Sequence, residues 1–344
     1  MDLVRALGWL PPERYRSSPR AKPAALTAWH TPDFVAALER AEAQQAVGEA
    51  TRLRHGLGTT SNPIFPEMYR RPATGVGGVM LAAQLLAGGG AVHVPGGGTH
   101  HAFPDRANGF CYLNDPAFAI LALRAHGARR VAYVDIDAHH CDGVEHGFRD
   151  DPDTLLVSVH EADRWPRTGA ITDGGLGNVF NLPVPRGFHD DDMARVRDGL
   201  ILPAVAAFRP HAIVLQAGSD GVLEDPQSRM ALSNNAHLGV LEGLRPLAPR
   251  LMLLGGGGYN PWAVGRCWTR LWGSLAGQET PERLPPDAQS VLRGLRWERR
   301  GGGRAVDPSE DWITTLADPW RGGTPGEGVA ASVADLAGRL RVWV

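Results

Sequence analysis

The chain has 344 residues, of which 43% are hydrophobic, and its formal net charge at pH 7 is −2. This balanced charge, with no cluster of Lys and Arg between aromatic residues, gives no electrostatic reason to expect nucleic acid or an anionic membrane as a partner. No apolar run reaches the ~20 residues that span a bilayer, and residues 1–10 lack the pattern of a signal peptide. The three cysteines are widely spaced, which predicts free thiols and a cytoplasmic location.

Short apolar runs alternate with helical patterns, which is typical of an α/β fold with a mostly parallel sheet covered by helices on both faces. Six runs predict strands, at 91–95, 131–137, 155–160, 179–184, 213–217 and 251–254. Helices are expected to begin at Pro32, with Thr31 as N-cap, and at Asp190, where acidic residues suit the helix dipole. Further helices are predicted at 1–7, 262–275 and 330–340, and glycine-rich loops at 301–303 and 322–328.

Polar clusters follow five of these apolar runs, at 96–101, 135–142, 160–161, 218–220 and 255–259. Ligands of open parallel sheets bind outside the carboxyl ends of the strands. We therefore expect the five clusters to converge on one site at that edge of the sheet.

The run that begins at Val131 is the most informative of these segments. Side chains alternate along a strand, so Asp135, Asp137 and His139 are predicted to share one side. Two carboxylates and an imidazole in a buried place are costly unless a metal or hydrogen bonds compensate them. We expect Asp137 and His139 to bind one divalent metal with Asp220 as the third ligand; a turn or helix cap is the alternative for Asp220 alone. Three protein ligands leave a position open for water or substrate, which is typical of a catalytic zinc site.

Two further segments carry candidate catalytic groups. His100 and His101 follow a glycine turn and would serve beside a metal as proton-transfer groups, although a surface loop with two ordinary histidines is the alternative. Tyr259 follows four glycines whose spacing fits neither a P-loop nor a dinucleotide site. We predict that these glycines let Tyr259 reach the site, where its hydroxyl could donate to a developing oxyanion; a structural tyrosine is the alternative.

Taken in order, these segments resemble the zinc-dependent histone deacetylase superfamily, with bacterial acetoin-utilisation-type and class I-like deacetylases nearest. The motifs are GGTHH at 97–101, GFCYLND at 109–115, DIDAHH at 135–140, Asp220 and GGGGYN at 255–260, supported by GLGT at 56–59 and NPIFP at 62–66. The resemblance implies the arginase/deacetylase fold with a parallel sheet of about eight strands. It also implies a single deacetylase domain over residues 1–344, with 278–344 packed on that domain.

The resemblance assigns a role to each candidate in the catalytic group. It implies one Zn²⁺ per chain, bound by Asp137, His139 and Asp220, that polarises the acetamide carbonyl and activates a water. His101 would act as general base and then acid, and His100 would remain an electrostatic partner. The remaining catalytic residues would be Asp135, which orients His100, Asp142, which orients His101, and Tyr259, which stabilises the oxyanion.

The resemblance also implies a substrate tunnel and a second cation. Phe110 and Trp165 would form the aromatic walls of an acyl-lysine tunnel, and the Gly109 carbonyl would accept the substrate amide hydrogen. Gln227 and Gly257 complete the substrate-binding set. A structural K⁺ is expected behind the zinc, near Asp135, Asp137, His139, Ser158 and Val159.

The sequence departs from the family pattern at several positions. The segment before residue 8 is helix-like where relatives carry an earlier strand, so one sheet edge is expected to be missing. Cys141 stands where Gly is usual; we favour an inert packed thiol over an oxidation-sensitive switch. Thr60 and Ser61 occupy the place of a rim carboxylate, and Gln227 replaces an apolar residue at the tunnel mouth.

Three alternatives to a protein deacetylase follow from these residues. An arginase-type enzyme with two Mn²⁺ ions would need Asp at positions 141 and 222, which are Cys141 and Val222 here. An acetylpolyamine hydrolase fits the missing rim carboxylate, because its substrate has no peptide backbone. It would use an acidic residue at the mouth, Glu224 or Asp225, to meet a cationic amine. A non-catalytic acyl-ligand sensor would lack a member of the catalytic set. We therefore expect a cytoplasmic zinc deacetylase acting on acetylated protein or a small acetyl-amine.

Overall fold

We describe the protein from a computed structural model, which covers residues 1–297, 307–326 and 328–340. The loop predicted at 301–303 lies outside the described residues.

The centre of the fold is a parallel sheet of six strands in the order β1-β6-β5-β2-β3-β4. The predicted mostly parallel α/β sheet is confirmed, and each of the six apolar runs forms one strand. The strands are β1 Gly90–Val94, β2 Val131–Asp135, β3 Thr154–Glu161, β4 Val179–Val184, β5 Ala212–Gln216 and β6 Arg250–Leu254.

The count of about eight strands that the family resemblance implied is wrong for the described residues, which form six. The chain before β1 forms helices instead, and its prolines favour helix starts and extended turns over ladder pairing. The helices before and after β1 are α1 Asp2–Ala6, α2 Pro23–Leu26, α3 Pro32–Gln44, α4 Glu49–His55, α5 Arg70–Leu85, α6 Asp115–Ala125 and α7 Asp142–Phe148.

The remaining helices cover the second half of the chain. They are α8 Asp190–Val196, α9 Leu202–Phe208, α10 Asn234–Leu244, α11 Pro261–Ala276, α12 Pro286–Gly294, α13 Glu310–Thr314 and α14 Val329–Arg339. A π-helical turn, Arg197–Ile201, joins α8 to α9, so the helix predicted to begin at Asp190 continues through it. In the part of the chain that the structure describes, no helix has the length and apolar character needed to cross a bilayer.

The sheet separates two hydrophobic clusters because successive strand residues face opposite sides. Val131 and Tyr133 of β2 pack in one cluster with α3, α5 and α6. Ala132 and Val134 pack in the other with α8, α9, α10, α11 and α14. All five residues of β2 are buried, as expected for a central strand covered on both faces.

Strand order places a crevice between the carboxyl ends of β2 and β5. The chain runs outward from β2 through β3 to β4 on one side, and from β5 to β6 on the other. Such a reversal of strand order is where open parallel sheets bind ligands, because the loops there lead away in opposite directions. The predicted residues 135–142 and 218–220 follow these two strands.

The N-terminal segment is tied to the edge of this crevice by a buried histidine. His30 is 1% exposed, and its Nε2 accepts a hydrogen bond from the Asn114 amide at 3.0 Å. Its Nδ1 lies 3.2 Å from the Pro104 carbonyl oxygen, so the neutral ring donates from Nδ1. Burial lowers the pKa of His30 to about 4.

We expect His30 to make the fold less stable in mild acid. The unfolded chain binds a proton at His30 below its ordinary pKa of 6.5, whereas the folded protein resists protonation down to about 4. Stability contributed by the neutral ring is therefore lost as the pH falls through that window, by about 2 kcal/mol at pH 5 relative to pH 7. His30→Gln keeps one acceptor and one donor and should remove this part of the loss.

Urea unfolding of both proteins at pH 7 and pH 5 measures the difference. His126→Gln, at an exposed position, is the matched control. An equal loss in wild type and His30→Gln would contradict the assignment of this pH dependence to His30.

Candidate active site

Two side-chain hydrogen bonds shape the loop that follows β2. The Asp135 Oδ1 atom accepts from the Asp137 amide at 3.0 Å, and the Asp137 Oδ1 atom accepts from the His139 amide at 3.0 Å. Carboxylates that bind an amide two residues ahead turn the chain, so the strand ends at Asp135, two residues before its predicted end. Asp137 and His139 therefore project from a loop toward β5.

The structure brings Asp137, His139 and Asp220 together, with one ligand atom from each lying within 4.8 Å of the others. His139 Nδ1 lies 3.1 Å from Asp137 Oδ1 and 3.0 Å from Asp220 Oδ2. Asp137 and Asp220 are almost fully buried, at 1% and 0% exposed. Asp220 comes from the 3₁₀ turn after β5, so the cluster bridges the crevice in the sheet.

This cluster requires positive charge between its carboxylates. Burial and the Asp137 carboxylate raise the pKa of Asp220. Burial opposes protonation of His139, but the two carboxylates outweigh it and raise the pKa of His139 to about 10. One imidazole nitrogen and two carboxylate oxygens are donors that divalent transition metals accept, and a cation there would neutralise both buried charges. The residues present therefore fit a metal ion.

Two glycines leave the space beside the carboxylates free. A Cβ on Gly218 would lie 2.0 Å from Asp137 Oδ2, and one on Gly257 would lie 2.1 Å from Asp220 Oδ2. The Gly257 amide donates to Asp137 Oδ2 at 2.7 Å, and the Ala138 amide donates to Asp220 Oδ1 at 2.9 Å. Backbone amides thus orient both carboxylates, and Gly257 contacts the carboxylate cluster; its predicted substrate-binding role stays a prediction.

The two predicted histidines form separate pairs with the two predicted carboxylates. His100 Nδ1 lies 2.8 Å from Asp135 Oδ2, and His101 Nδ1 lies 2.7 Å from Asp142 Oδ1. Their Nε2 atoms face one another at 3.0 Å, and His100 Nε2 lies 3.8 Å from Asp137 Oδ1. Both residues are at most 5% exposed, so neither belongs to an ordinary surface loop.

The surroundings shift the pKa values of the two histidines in opposite directions. Burial alone would lower the pKa of His100, but the Asp135 and Asp137 carboxylates outweigh it and raise that pKa to about 9. Burial, followed by the charge of His100, lowers the pKa of His101 to about 4. Groups whose environments separate their pKa values in this way are typical of acid–base pairs in active sites.

Aromatic side chains lie at the open end of the site. Phe110 is 63% exposed and Trp165 is 42% exposed. The Trp165 ring packs edge-on against His101, with centroids 4.6 Å apart, and lies 6.3 Å from the His139 ring. Gly109 has φ +54°, and a Cβ there would lie 2.1 Å from Trp165 Cη2. Only glycine leaves room for this approach.

Tyr259 and Gln227 lie at the same end on neighbouring loops. Tyr259 is 47% exposed, and burial of part of its ring, with the Asp220 and Asp137 carboxylates, raises the pKa of its hydroxyl well above the usual value. The hydroxyl therefore keeps its proton and can donate. Gln227 is exposed. Asp225 accepts from the backbone amides of Tyr259 and Gln227, at 2.5 and 2.9 Å, and so connects the two loops.

The predicted cation-site residues Ser158 and Val159 are buried in β3, next to β2. Ser158 pairs in register with Asp135 and its Oγ lies 3.0 Å from His160 Nδ1. Cys141 is 1% exposed, and burial raises the pKa of its thiol well above the usual value, which favours the inert packed thiol over the redox switch.

Sequence reasoning quoted Asn114 and Asp115 in a motif but gave no role to them, and the structure shows that they hold the histidine loop. Asn114 Nδ2 donates to the carbonyl oxygens of His100 and Ala102, at 3.2 and 2.8 Å, while its Oδ1 caps α6. The carboxylate of Asp115 accepts from the amides of Gly98 and Thr99, at 2.7 and 2.9 Å. Asn114 and Asp115, immediately before Pro116, are a helix-start signal in the sequence. Their partners in the histidine loop lie 12 to 17 residues earlier in the chain, so the sequence did not indicate these contacts.

Two more supporting residues lie inside the sheet. The Tyr133 hydroxyl donates to Asp135 Oδ2 at 2.5 Å, and Gln216 Nε2 donates to the Gly98 carbonyl oxygen at 3.0 Å. The available signals were a polar group between apolar residues, Tyr133 in β2, and one at the end of an apolar strand, Gln216 in β5.

Comparison with known proteins gives a consistent result. A family model described as the histone deacetylase domain matches residues 1–275. The acetoin utilization protein AcuC of Bacillus subtilis is 35% identical over 272 residues, which are 75% of this chain and 70% of AcuC. Histone deacetylase 8 of Xenopus tropicalis is 34% identical over 83% of this chain and 79% of its own length.

Solved structures agree with these sequence matches. The crystal structure of a histone deacetylase homologue from Aquifex aeolicus has a TM-score of 0.91 at 33% identity, covering 98% of this chain and 91% of that chain. A structure of such a homologue complexed with SAHA has a TM-score of 0.90, with the same identity and coverage.

We expect Asp220→Asn to abolish stabilisation by an added divalent metal, because it removes one of two anionic donors. Chelator-treated wild type should gain about 2.7 kcal/mol of stability at a hundredfold excess of Zn²⁺ over its Kd. Chelator-treated Asp220→Asn should melt no lower than metal-free wild type, since one buried charge is gone. Thermal melts with and without Zn²⁺ measure both effects, with Asp198→Asn on the surface as control. Equal stabilisation of wild type and Asp220→Asn would refute the ligand role.

Gly257→Ala should have a similar effect by a steric route. Its Cβ would enter the space beside Asp220 Oδ2, so we expect weaker metal binding with little change in secondary structure. Gly265→Ala is the matched control: nothing lies within 4 Å of its added Cβ in α11, and replacing a helical glycine should add up to about 1 kcal/mol of stability. Titration calorimetry with Zn²⁺ distinguishes the two variants; unchanged affinity in Gly257→Ala would show that the space is not required.

Proposed function

The chain belongs to the histone deacetylase family, and on that premise we propose that it is a zinc-dependent deacetylase that hydrolyses the acetamide of acetyl-lysine in proteins. The observation that carries the proposal is the meeting of a buried Asp-His-Asp cluster with two His-Asp pairs at one crevice. Amide hydrolysis needs an electrophile for the carbonyl, a base for water and an acid for the leaving amine. The cluster and the pairs together provide places for all three.

Asp137, His139 and Asp220 would hold one Zn²⁺. When bound, that ion would supply Lewis-acid polarisation of the substrate carbonyl and of the attacking water. The choice of zinc is supported by the number and type of donors, because three protein ligands drawn from imidazole and carboxylate groups leave the open position of a catalytic zinc site. Position 141 is Cys141 and position 222 is the buried Val222, so the two aspartates that a second Mn²⁺ would need are absent.

His101 would accept a proton from water and later return it to the leaving amine. Asp142 holds the His101 ring through Nδ1, which leaves Nε2 directed toward His100 and the interior of the site. His100, held by Asp135, would remain charged and stabilise negative charge that develops during the reaction. Removing Asp135 or Asp142 would leave the ring of its histidine partner free to rotate, because that carboxylate fixes the ring orientation.

The remaining residues would bind the substrate. Phe110 and Trp165 would enclose the lysine methylenes, and the Gly109 carbonyl would accept the amide hydrogen. Tyr259 would donate a hydrogen bond from its hydroxyl to the oxyanion that develops from the substrate carbonyl oxygen. Gly257 would border the acetyl group and Gln227 the mouth. A K⁺ is also proposed behind the zinc, at Asp135, Asp137, His139, Ser158 and Val159.

Acetyl-lysine is favoured over an acetylpolyamine because both candidate acids at the mouth are engaged. The Asp225 carboxylate is 4% exposed and binds backbone amides, and Glu224 forms an ion pair with Arg321. Neither is free to meet a cationic amine. Thr60 and Ser61, which stand where a rim carboxylate would grip a peptide backbone, are exposed. The Phe110 amide donates to the Ser61 carbonyl oxygen at 2.9 Å, so these two residues lie beside the proposed tunnel wall. The single domain over 1–344 and the cytoplasmic location stay predictions.

We expect Tyr259→Phe to lower kcat on a fluorogenic acetyl-lysine substrate about 100-fold, because one oxyanion donor is lost. His101→Ala should lower kcat by at least a similar factor, since a general base contributes about 10²–10⁴. Both variants should retain about one zinc per chain, since neither residue is a proposed ligand, and metal content is measured alongside turnover.

Tyr15→Phe is the matched control, because Tyr15 is also partly exposed and lies far from Tyr259 in the sequence. It should leave kcat unchanged. Acetylputrescine is included as a competitor. Strong competition would move the substrate class toward polyamines. A folded, zinc-loaded wild type that turns over neither compound would refute the deacetylase proposal and favour the acyl-ligand sensor.

A further inference from the structure

Tyr259 lies on a loop whose own backbone does little to fix its position. Two of the four glycines before it have positive φ, +123° at Gly256 and +150° at Gly258. Glycines of this kind have the largest conformational freedom in the unfolded or detached chain. The position of the loop therefore depends on contacts with residues of other segments.

Two carboxylates hold this loop, one on each side of Gly258. Asp137 accepts from the Gly257 amide at 2.7 Å. Asp225 Oδ2 accepts from the amides of Tyr259 and Asn260, at 2.5 and 3.1 Å. Asn260 Oδ1 in turn caps α11. The proposed metal cluster thus fixes one end of the loop, while Asp225 fixes the tyrosine itself.

The loop that carries Asp225 is held by the C-terminal part of the chain. The Arg321 guanidinium pairs with Glu224, and its other nitrogen donates to the Leu232 carbonyl oxygen at 2.5 Å. The Glu224 carbonyl oxygen accepts from Asn260 Nδ2 at 3.1 Å. Both side chains of the ion pair are at most 17% exposed, so this pair is shielded from water.

Arg321 is itself fixed by a buried carboxylate. Its amide donates to Asp190 Oδ2 at 2.8 Å, and its carbonyl oxygen accepts from the Asp190 amide at 2.9 Å. Asp190 also accepts from the amide and hydroxyl of Ser233, at 2.8 and 2.6 Å. Arg321 lies beyond residues 1–275, the part that the family model matches. The contact is thus made by a segment outside the matched domain.

We infer that Asp225 and Arg321 are positioning residues for the proposed reaction: Asp225 sets the place of Tyr259, and Arg321 of the C-terminal segment holds the Asp225 loop through Glu224. The inference rests on the proposed function. Asp225 is fitted for this role because a carboxylate can accept from several amides at once, and the buried Asn260 amide would otherwise lack a partner in this site. Asparagine cannot replace it fully, since one of its two terminal atoms is a donor.

The test is a double-mutant comparison on acetyl-lysine substrate. Asp225→Asn should lower kcat about tenfold with KM and zinc content nearly unchanged, because it misplaces a group that acts mainly in the transition state. In the Tyr259→Phe background the same change should cost less than about twofold, because residues that act as a unit are not additive. Arg321→Gln should lower kcat severalfold, and Arg321→Lys should restore part of that loss.

Arg339→Gln is the matched control, because Arg339 also lies in the C-terminal segment but pairs with Asp335 and the Ile171 carbonyl. It should leave kcat unchanged. An equal loss from Asp225→Asn in wild type and in Tyr259→Phe would overturn the inference, because Asp225 would then act through another group. A loss in Arg339→Gln as large as in Arg321→Gln would also overturn it.

Amide hydrogen exchange gives a readout that does not depend on activity. Exchange at residues 257–260 should be faster in Asp225→Asn and Arg321→Gln than in wild type or Arg339→Gln. If wild type proves inactive on acetyl-lysine, the proposed function fails, but this exchange pattern still supports the positioning role of both residues. Unchanged exchange in both variants overturns it.

Discussion

The burial of two carboxylates side by side at the centre of the sheet is the constraint on which the rest of the site depends. Asp137 and Asp220 are buried away from solvent at the point where strand order reverses, so each carboxylate must be neutralised or hydrogen-bonded. The surrounding chain meets that demand with His139 between them and backbone amides behind them. Glycine at 218 and 257 follows from the same constraint, because a side chain at either position would fill the space beside the carboxylates.

The constraint extends outward from the cluster through a second set of pairs. Asp135 turns the loop through one oxygen and holds His100 through the other, so the same carboxylate shapes the cluster and orients a histidine. His101 is held independently by Asp142 at the start of α7. The Asp135 and Asp137 carboxylates outweigh burial and raise the pKa of His100, whereas burial and then the charge of His100 lower the pKa of His101. One motif of two identical residues thus provides two chemically different groups.

The open end of the site is less constrained than its base. Trp165, Phe110 and Tyr259 are all partly exposed, and each lies on a loop after or between strands. Rigid sheet ends carry the buried charges, whereas the groups proposed to contact substrate depend on contacts between loops. For Tyr259 those contacts pass through Asp225 and the C-terminal segment, which places residues far apart in the chain in one functional unit.

Much of the fold and of the candidate site could be predicted from the sequence alone. The six apolar runs located the six strands of the described residues, and the polar residues after them located the candidate site, because parallel strands bring their carboxyl ends to one edge. The pairing of Asp135 with His100 and of Asp142 with His101 was implied by the family motifs. The strand count was better estimated from the runs than from the resemblance. Only the tertiary structure decided how Asn114, Asp225 and Arg321 act, because their partners lie far away along the chain. It also decided that Glu224 and Asp225 are not free at the mouth: a carboxylate looks the same in a sequence whether it faces solvent or satisfies buried donors, and only packing distinguishes the two.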